Sequence, residues 1–255
     1  MKLLYDVEPD LYRAASGAEY EVEWEPDVWT YQCRISDAKD AITAEIERVQ
    51  KFAPSHKVVL ALGDSNNFRY SVYRDYKSGR RKYRKPAGYT ALRQWLRKTW
   101  PFIQLANVEG DDAVGISYRP DDVIYSRDKD LKTIPGHHLN IEGELEEIAP
   151  FAADVRFYSQ ILTGDATDGY PGLKGCGPKK ADAILGGAES EHGLWERVRA
   201  AYIKAASKDP ETPSVLSQAR CARILRMNEY NHEEQKPILW EPPIPMDVFI
   251  PGFHD

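Results

Sequence analysis

Short apolar runs and helically spaced apolar positions take turns along the first half of the chain. Residues 1–5, 57–62, 102–108 and 123–126 are short and nearly continuous in apolar side chains. Runs of that kind are the mark of strands buried on both faces of a parallel sheet. Between them the spacing changes. Ala38, Ala41, Ile42, Ile46 and Val49 fall on one face of a helix that Ser36 or Asp37 would cap and that ends near Pro54. Residues 90–100 read as another helix, and a third opens at 109–112. Strand, helix, strand, helix, strand, helix, strand predicts the α/β class, with a central, mostly parallel sheet flanked by helices. Residues 7–33 are acidic and aromatic without clean periodicity; a short helix is expected at 11–15 and irregular structure elsewhere.

The second half reads as helical. Residues 155–162 lead into G-D-A-T-D-G (164–169) and then G-L-K-G-C-G-P-K-K-A (172–181). Gly175 and Gly177 suit a tight turn with positive φ, and Pro178 suits a first helical position. Such a turn would aim backbone N–H groups at an anion, with Lys174, Lys179 and Lys180 beside it, and so clamp phosphates without reading sequence. The plainer alternative is a loop joining two helices. No G-x-x-x-x-G-K-[ST] occurs, which disfavours a nucleotide-binding P-loop. Residues 193–206 and 217–230 are expected as structural helices, and 236–251, with five prolines, as an extended surface tail. This divides the chain into an α/β core over 1–160 and a helical region over 161–255.

Charge changes the picture more than composition does. The net charge of −6 alone argues against a nucleic-acid partner. Yet eleven Lys or Arg residues stand against one acid, Asp75, between Arg69 and Lys98, a local balance of +10 that leaves −16 for the rest of the 255 residues. One basic segment in an acidic chain is what a polyanion-binding protein with a carboxylate-lined site would show. Arg69, Tyr73, Arg74 and Tyr76 interleave rings with cations, suited to stacking on bases while neutralising phosphates; Arg80 and Arg81 extend the run. Lys77 and Arg84, seven apart, would point the same way on a helix and could reach one phosphate. The plain alternative is a solvated basic face. Cys33, Cys176 and Cys221 have no C-x-x-C spacing and read as reduced thiols. No signal peptide or membrane span is expected, and the expectation is a cytoplasmic protein.

Each predicted strand ends on acids: Asp6, Asp64, Glu109 with Asp111, and Asp128 with Asp130. A strand-end acid is ordinarily a turn residue or a helix cap. Four in succession place carboxylates along the edge where open parallel sheets do their chemistry. V-E-G-D-D (108–112) puts Glu109, Asp111 and Asp112 together; either they start a helix or a cation holds them. Oxygen donors without His or Cys suit Mg²⁺ or Mn²⁺. With Asp165 and Asp168 the acids are too many for one ion, and two ions ~4 Å apart would account for them.

Taken together, Asp6 with Y-R-A-A-S-G-A-E-Y (12–20), D-Y-K-S-G-R (75–80), K-P-A-G-Y (85–89), V-E-G-D-D, S-R-D-K-D-L-K-T-I-P (126–135), the 164–181 stretch and A-R-I-L-R-M-N-E-Y-N (222–231) resemble the flap endonuclease/5′-3′ exonuclease family, nearest to the exonucleases of short-tailed bacteriophages. The resemblance spans nearly the whole chain in order. It implies a PIN-like/resolvase-like nuclease core with a helical arch over about 68–90 and a helix-hairpin-helix-like DNA clamp over about 164–186, holding a potassium ion at the Gly172–Gly177 turn. It implies a metal-dependent 5′-3′ exonuclease with flap endonuclease activity, acting in phage DNA replication, DNA degradation and primer removal. One metal site would use Asp6, Asp64, Glu109 and Asp111, with Asp112 close by; the other Asp128, Asp130, Asp165 and Asp168. Lys77 would be the catalytic lysine, Arg84 its arch partner, Asp111 the bridge between ions, and Arg13 a DNA contact. The implied partner is duplex DNA with a 5′ end or flap, or an RNA/DNA hybrid, bound by a monomer in the host cytoplasm. A catalytically silent junction binder and a PIN-type ribonuclease are the competing readings.

Overall fold

The computed structural model describes residues 1–243. In chain order its elements are β1 (Lys2–Asp6), α1 (Glu8–Gly17), β2 (Glu19–Glu25), β3 (Val28–Cys33), α2 (Ile35–Phe52), β4 (Lys57–Ala61), α3 (Arg69–Val72), α4 (Tyr89–Thr99), β5 (Phe102–Ile103), α5 (Gly110–Ser117), β6 (Val123–Tyr125), β7 (Gly136–Leu139), β8 (Leu145–Ile148), α6 (Pro150–Thr163), α7 (Pro178–Leu185), α8 (Glu191–Ala206), α9 (Val215–Ala222), β9 (Tyr230–Asn231) and β10 (Lys236–Pro237). Short 3₁₀ turns occupy Ser78–Lys82 and Lys129–Thr133.

The main sheet has the order β5-β4-β1-β6-β7-β8. Its first five strands are parallel, and β8 is antiparallel to β7. Alternation along β1 sorts the core: Leu3 and Tyr5 pack with Leu11, Ile42, Ile46, Leu92 and Leu96 of α1, α2 and α4, while Leu4 faces Val114, Ile124 and Ile224. A further apolar cluster joins α6 to α9 through Phe157, Tyr158, Trp195 and Tyr202, and takes in Tyr76 and Trp240. Among the described residues no helix is long and apolar enough to cross a membrane.

Several expectations need correction. Residues 19–33 form a hairpin, with Glu21 opposite Tyr31. Its period-two pattern escapes a search for hydrophobic alternation because neither face is core: Trp24, Val28, Trp29 and Tyr31 are all exposed. The helix expected at Ser36 or Asp37 begins at Ile35, and Ser36 hydrogen-bonds Asp37 instead. The third strand stops at Ile103, and Asn107, at φ 62°, turns the chain out of extended geometry before residue 108. The last helix ends at Ala222 rather than near residue 230. Helical structure was expected to carry Lys77 and Arg84 on one face. The basic segment instead breaks into α3, a left-handed Lys77 (φ 51°) and a 3₁₀ turn, so the two side chains share no helix face. Of the expected tail, 244–251 lies outside the described residues, as does the side chain of Arg81; Trp240 is buried rather than laid on the surface.

Candidate active site

The parallel strands bring their acidic ends to one edge of the sheet. Asp6 closes β1 and is only 6 % exposed. Its Oδ2 accepts a hydrogen bond from Ser126 Oγ (2.9 Å), which in turn accepts the Asp128 N–H (2.9 Å). Asp128 Oδ1 accepts the Asp130 N–H (2.9 Å) and so caps the 3₁₀ turn that follows β6. Burial pushes Asp6 up to about 7, with Glu8 and Asp128 adding to the push. Asp130 rises to about 6, through burial first and then the charges of Asp128, Asp165 and Asp168.

On the β4 side, the Asp64 carboxylate accepts the N–H groups of Asn107 (3.0 Å) and Ser65 (2.8 Å), which hold it low. These bonds tie the loop after β4 to the approach of α5. Glycine at 110 completes the junction: a Cβ there would sit 3.4 Å from Gly63 N and 3.5 Å from Asp6 Oδ1. V-E-G-D-D is thus the start of α5, drawn tight against the ends of β1 and β4. Burial, together with Asp112 and Glu109, pushes Asp111 well above the ordinary carboxylate range.

The basic segment meets these acids directly. The Tyr76 hydroxyl lies 2.7 Å from Glu109 Oε2 and 3.0 Å from Asp168 Oδ2. Lys77 Nζ pairs with Glu109 Oε1 and lies 3.6 Å from Asp168 Oδ2, and Arg80 donates to Asp168 Oδ1 (2.6 Å). Glu109 is held low despite its burial by Lys77 and then Arg69. The backbones also touch: the Lys77 N–H donates to Asp168 O (2.7 Å), and a Cβ at Gly169 (φ 78°) would stand 2.7 Å from Asp75 O. Asp165 arranges the same loop, accepting the N–H groups of Thr167 (2.6 Å) and Asp168 (3.2 Å).

Several candidate residues take other places. Asp112 is fully buried; its oxygens accept Arg69 Nη1 (2.6 Å), Arg69 Nη2 (2.8 Å), the Glu109 N–H (3.0 Å) and the Leu225 N–H (3.0 Å), which leaves no lone pair facing a cation. Arg69, 1 % exposed, donates also to Cys221 O and Arg223 O and cannot meet DNA. Tyr76 is equally buried and stacks on Tyr170, not on a base. Tyr73 is partly buried against the α6–α9 cluster, while Arg74 is exposed. Arg84 is held by Glu19 and Tyr31 rather than turned toward Lys77. Arg13, on the exposed side of α1, pairs with Asp10 (3.0 Å).

At the glycine-rich turn Gly175 is left-handed (φ 66°), whereas Gly177 is extended (φ −86°, ψ 178°) and caps α7, with Pro178 in its first turn. Lys179 and Lys180 are exposed beside it, and Lys174 pairs with Asp209 at 3.1 Å.

Sequence reasoning missed Ser126, which ties Asp6 to Asp128, and the partly buried pair behind it, Arg127 Nε to Asp10 Oδ1 at 2.6 Å. It also missed that Tyr76 serves the acids. A tyrosine amid cations has no sequence signal that separates a base-stacking ring from a buried donor.

Among the described residues no three His, Cys, Asp or Glu side chains converge as a ready-made cation cage. The donor set nevertheless suits hard divalent ions: it is all oxygen, and the raised Asp6, Asp111 and Asp130 are carboxylates whose burial a nearby cation would relieve.

Comparison with models of protein families finds no match. Individual proteins do match. An exonuclease of Escherichia phage T7 is 30 % identical over 278 aligned positions, spanning 91 % of this chain and 90 % of that protein. A 5′-3′ exonuclease of Aquifex aeolicus is 25 % identical, over 75 % of this chain and 74 % of its own. A bacteriophage T5 flap endonuclease, solved as a pseudo-enzyme–product complex with DNA and metal ions, superposes with a TM-score of 0.50 at 15 % identity, covering 86 % of this chain and 97 % of that one; this likeness speaks for the fold. The acid-edged parallel sheet and the relatives that align over nearly its full length lead to one conclusion: the chain belongs to the flap endonuclease/5′-3′ exonuclease family and is a nuclease.

Proposed function

We propose that the protein hydrolyses phosphodiester bonds at the 5′ ends and 5′ flaps of duplex DNA, with Asp6, Asp64, Glu109, Asp111, Asp128, Asp130, Asp165 and Asp168 as the ligand set for two Mg²⁺ or Mn²⁺ ions. The observation that carries this reading is the meeting of Lys77 and Tyr76 with Glu109 and Asp168, where the most basic segment of the chain closes on its most acidic edge. Bound divalent ions supply Lewis-acid activation of water and neutralise charge on the scissile phosphate. The chain's own residues do the rest. Lys77, 14 % exposed at its side chain, is poised beside two carboxylates and donates to a phosphate oxygen once Glu109 and Asp168 are neutralised by other partners. Tyr76 fixes the two acids relative to each other. Arg13, Arg74 and Arg80, with Lys174, Lys179 and Lys180 around Gly175 and Gly177, supply sequence-independent contacts to the DNA backbone, and a potassium ion at that turn fits the same role. In this reading residues 1–160 form the catalytic core, Asp165 and Asp168 from the region over 161–255 complete its ligand set, that region's glycine-rich turn adds grip on the duplex, and a monomer suffices.

The test is release of 5′ nucleotides from duplex and 5′-flap DNA, with Mg²⁺ and with EDTA. Cleavage that EDTA abolishes and added Mg²⁺ or Mn²⁺ restores is the expected result. Metal-independent cleavage overturns the mechanism, and cleavage of RNA alone transfers the chain to the ribonuclease reading.

A further inference from the structure

The β2–β3 hairpin has no part in the carboxylate edge, yet it reaches the basic segment. At its root Glu19 takes both arms of Arg84: Nη1 lies 2.7 Å from Oε2 and Nη2 2.5 Å from Oε1. Glu19 Oε2 also accepts the Ala87 N–H. Across the hairpin, Tyr31 lays its ring under the guanidinium, 3.4 Å from its carbon. Gly88, left-handed at φ 82°, packs on Cys33 so closely that a Cβ would stand 2.5 Å from its Sγ. Both ends of the hairpin therefore hold residues 84–88.

A carboxylate bound through two parallel N–H···O bonds occupies the same fork that a phosphodiester would use. Arg84 faces solvent with 46 % of its side chain exposed and Glu19 keeps 15 % of its own accessible, so solvent reaches the bond and it can exchange. Arg69 in the same segment has its carboxylate sealed inside the protein at 0 % exposure and cannot exchange.

We propose that Glu19 is a phosphate mimic that fills the Arg84 site in the free protein and is displaced by a DNA phosphate, so that this residue sets how tightly the nuclease holds its substrate. Tyr31 keeps the guanidinium flat and in place during the exchange. Arg84 holds the Glu19 carboxyl down to about 2, so the latch stays charged throughout the working range of pH. The inference rests on the DNA-binding reading above.

Equilibrium binding of a 5′-flap duplex to the full chain, in Ca²⁺ and at fixed low salt, tests it with four proteins: wild type, Glu19→Gln, Arg84→Gln and the double variant. Glu19→Gln keeps an amide oxygen for the Ala87 N–H. It is expected to tighten binding about two- to five-fold, the range of an exposed charge pair, and to lose this effect when Arg84 is already glutamine. Unchanged or weaker binding by Glu19→Gln overturns the latch, as does equal tightening in the Arg84→Gln background, which would mark general charge repulsion. If wild type binds no DNA at all, it is the DNA-binding reading that falls.

Discussion

The two halves of the basic segment use the same residue types to opposite ends. In the inner half, the buried Arg69 and the mostly buried Lys77 are spent on Asp112 and Glu109, and they weld the segment to the acidic edge and to the C-terminal helices. In the outer half, Arg84 and Lys85 lie over tyrosine rings, and Arg84 takes its carboxylate from Glu19 at the solvent-accessible hairpin root. Burial makes the difference. An arginine removed from water must keep its carboxylate, whereas one left in water can trade it.

Breaking the inner half should cost most. Arg69→Ala leaves Asp112 charged, buried and short of two donors, and a loss of about 3–5 kcal/mol is expected in chemical denaturation. Replacing Asp112 by leucine as well restores little, because the carbonyls of Cys221 and Arg223 and the N–H groups of Glu109 and Leu225 lose their partners too. Lys77→Ala should lower turnover about 10²-fold or more while changing DNA affinity far less; single-turnover and binding assays separate the two, and equal losses would make Lys77 a plain phosphate anchor. A smaller effect is expected behind the site. Glu45, held down to about 2 by Arg48 and then Arg127, against an ordinary 4.5, contributes stability that is present above about 4.5 and lost as pH falls toward 2. Acid unfolding of Glu45→Gln should accordingly depend less on pH across that window. The outer half should give the least: Arg84→Ala is expected to leave the denaturation midpoint unchanged, and a marked shift would show that the hairpin root supports the fold.

Much of the fold was legible because buried parallel strands announce themselves. The runs at 1–5 and 57–62 are short, nearly continuous and bounded by turn residues, as buried strands are, and the acids beyond them followed from topology. The hairpin at 19–33 was not legible, since its alternation pairs glutamates with exposed aromatics and no core side marks the register. Asp112 shows the limit within the site. Its neighbours Glu109 and Asp111 are also acids at the same helix start, and only the fold reveals that its oxygens turn toward Arg69 while Asp111 lies among its fellow acids. Arg84 was misplaced for a different reason: regular helical spacing was assumed where a left-handed Lys77 breaks it.

The partners of Arg69 lie 152 and 154 residues further along the chain, and Trp240, later still, closes the cluster of Phe157, Tyr158 and Trp195. During synthesis the acidic edge is therefore made early and secured late, because closing loops of that length is slow and entropically unfavourable. A ribosome-bound chain that has not yet extended past residue 225 lacks the Leu225 N–H that Asp112 accepts and the Cys221 and Arg223 carbonyls that hold Arg69 against it.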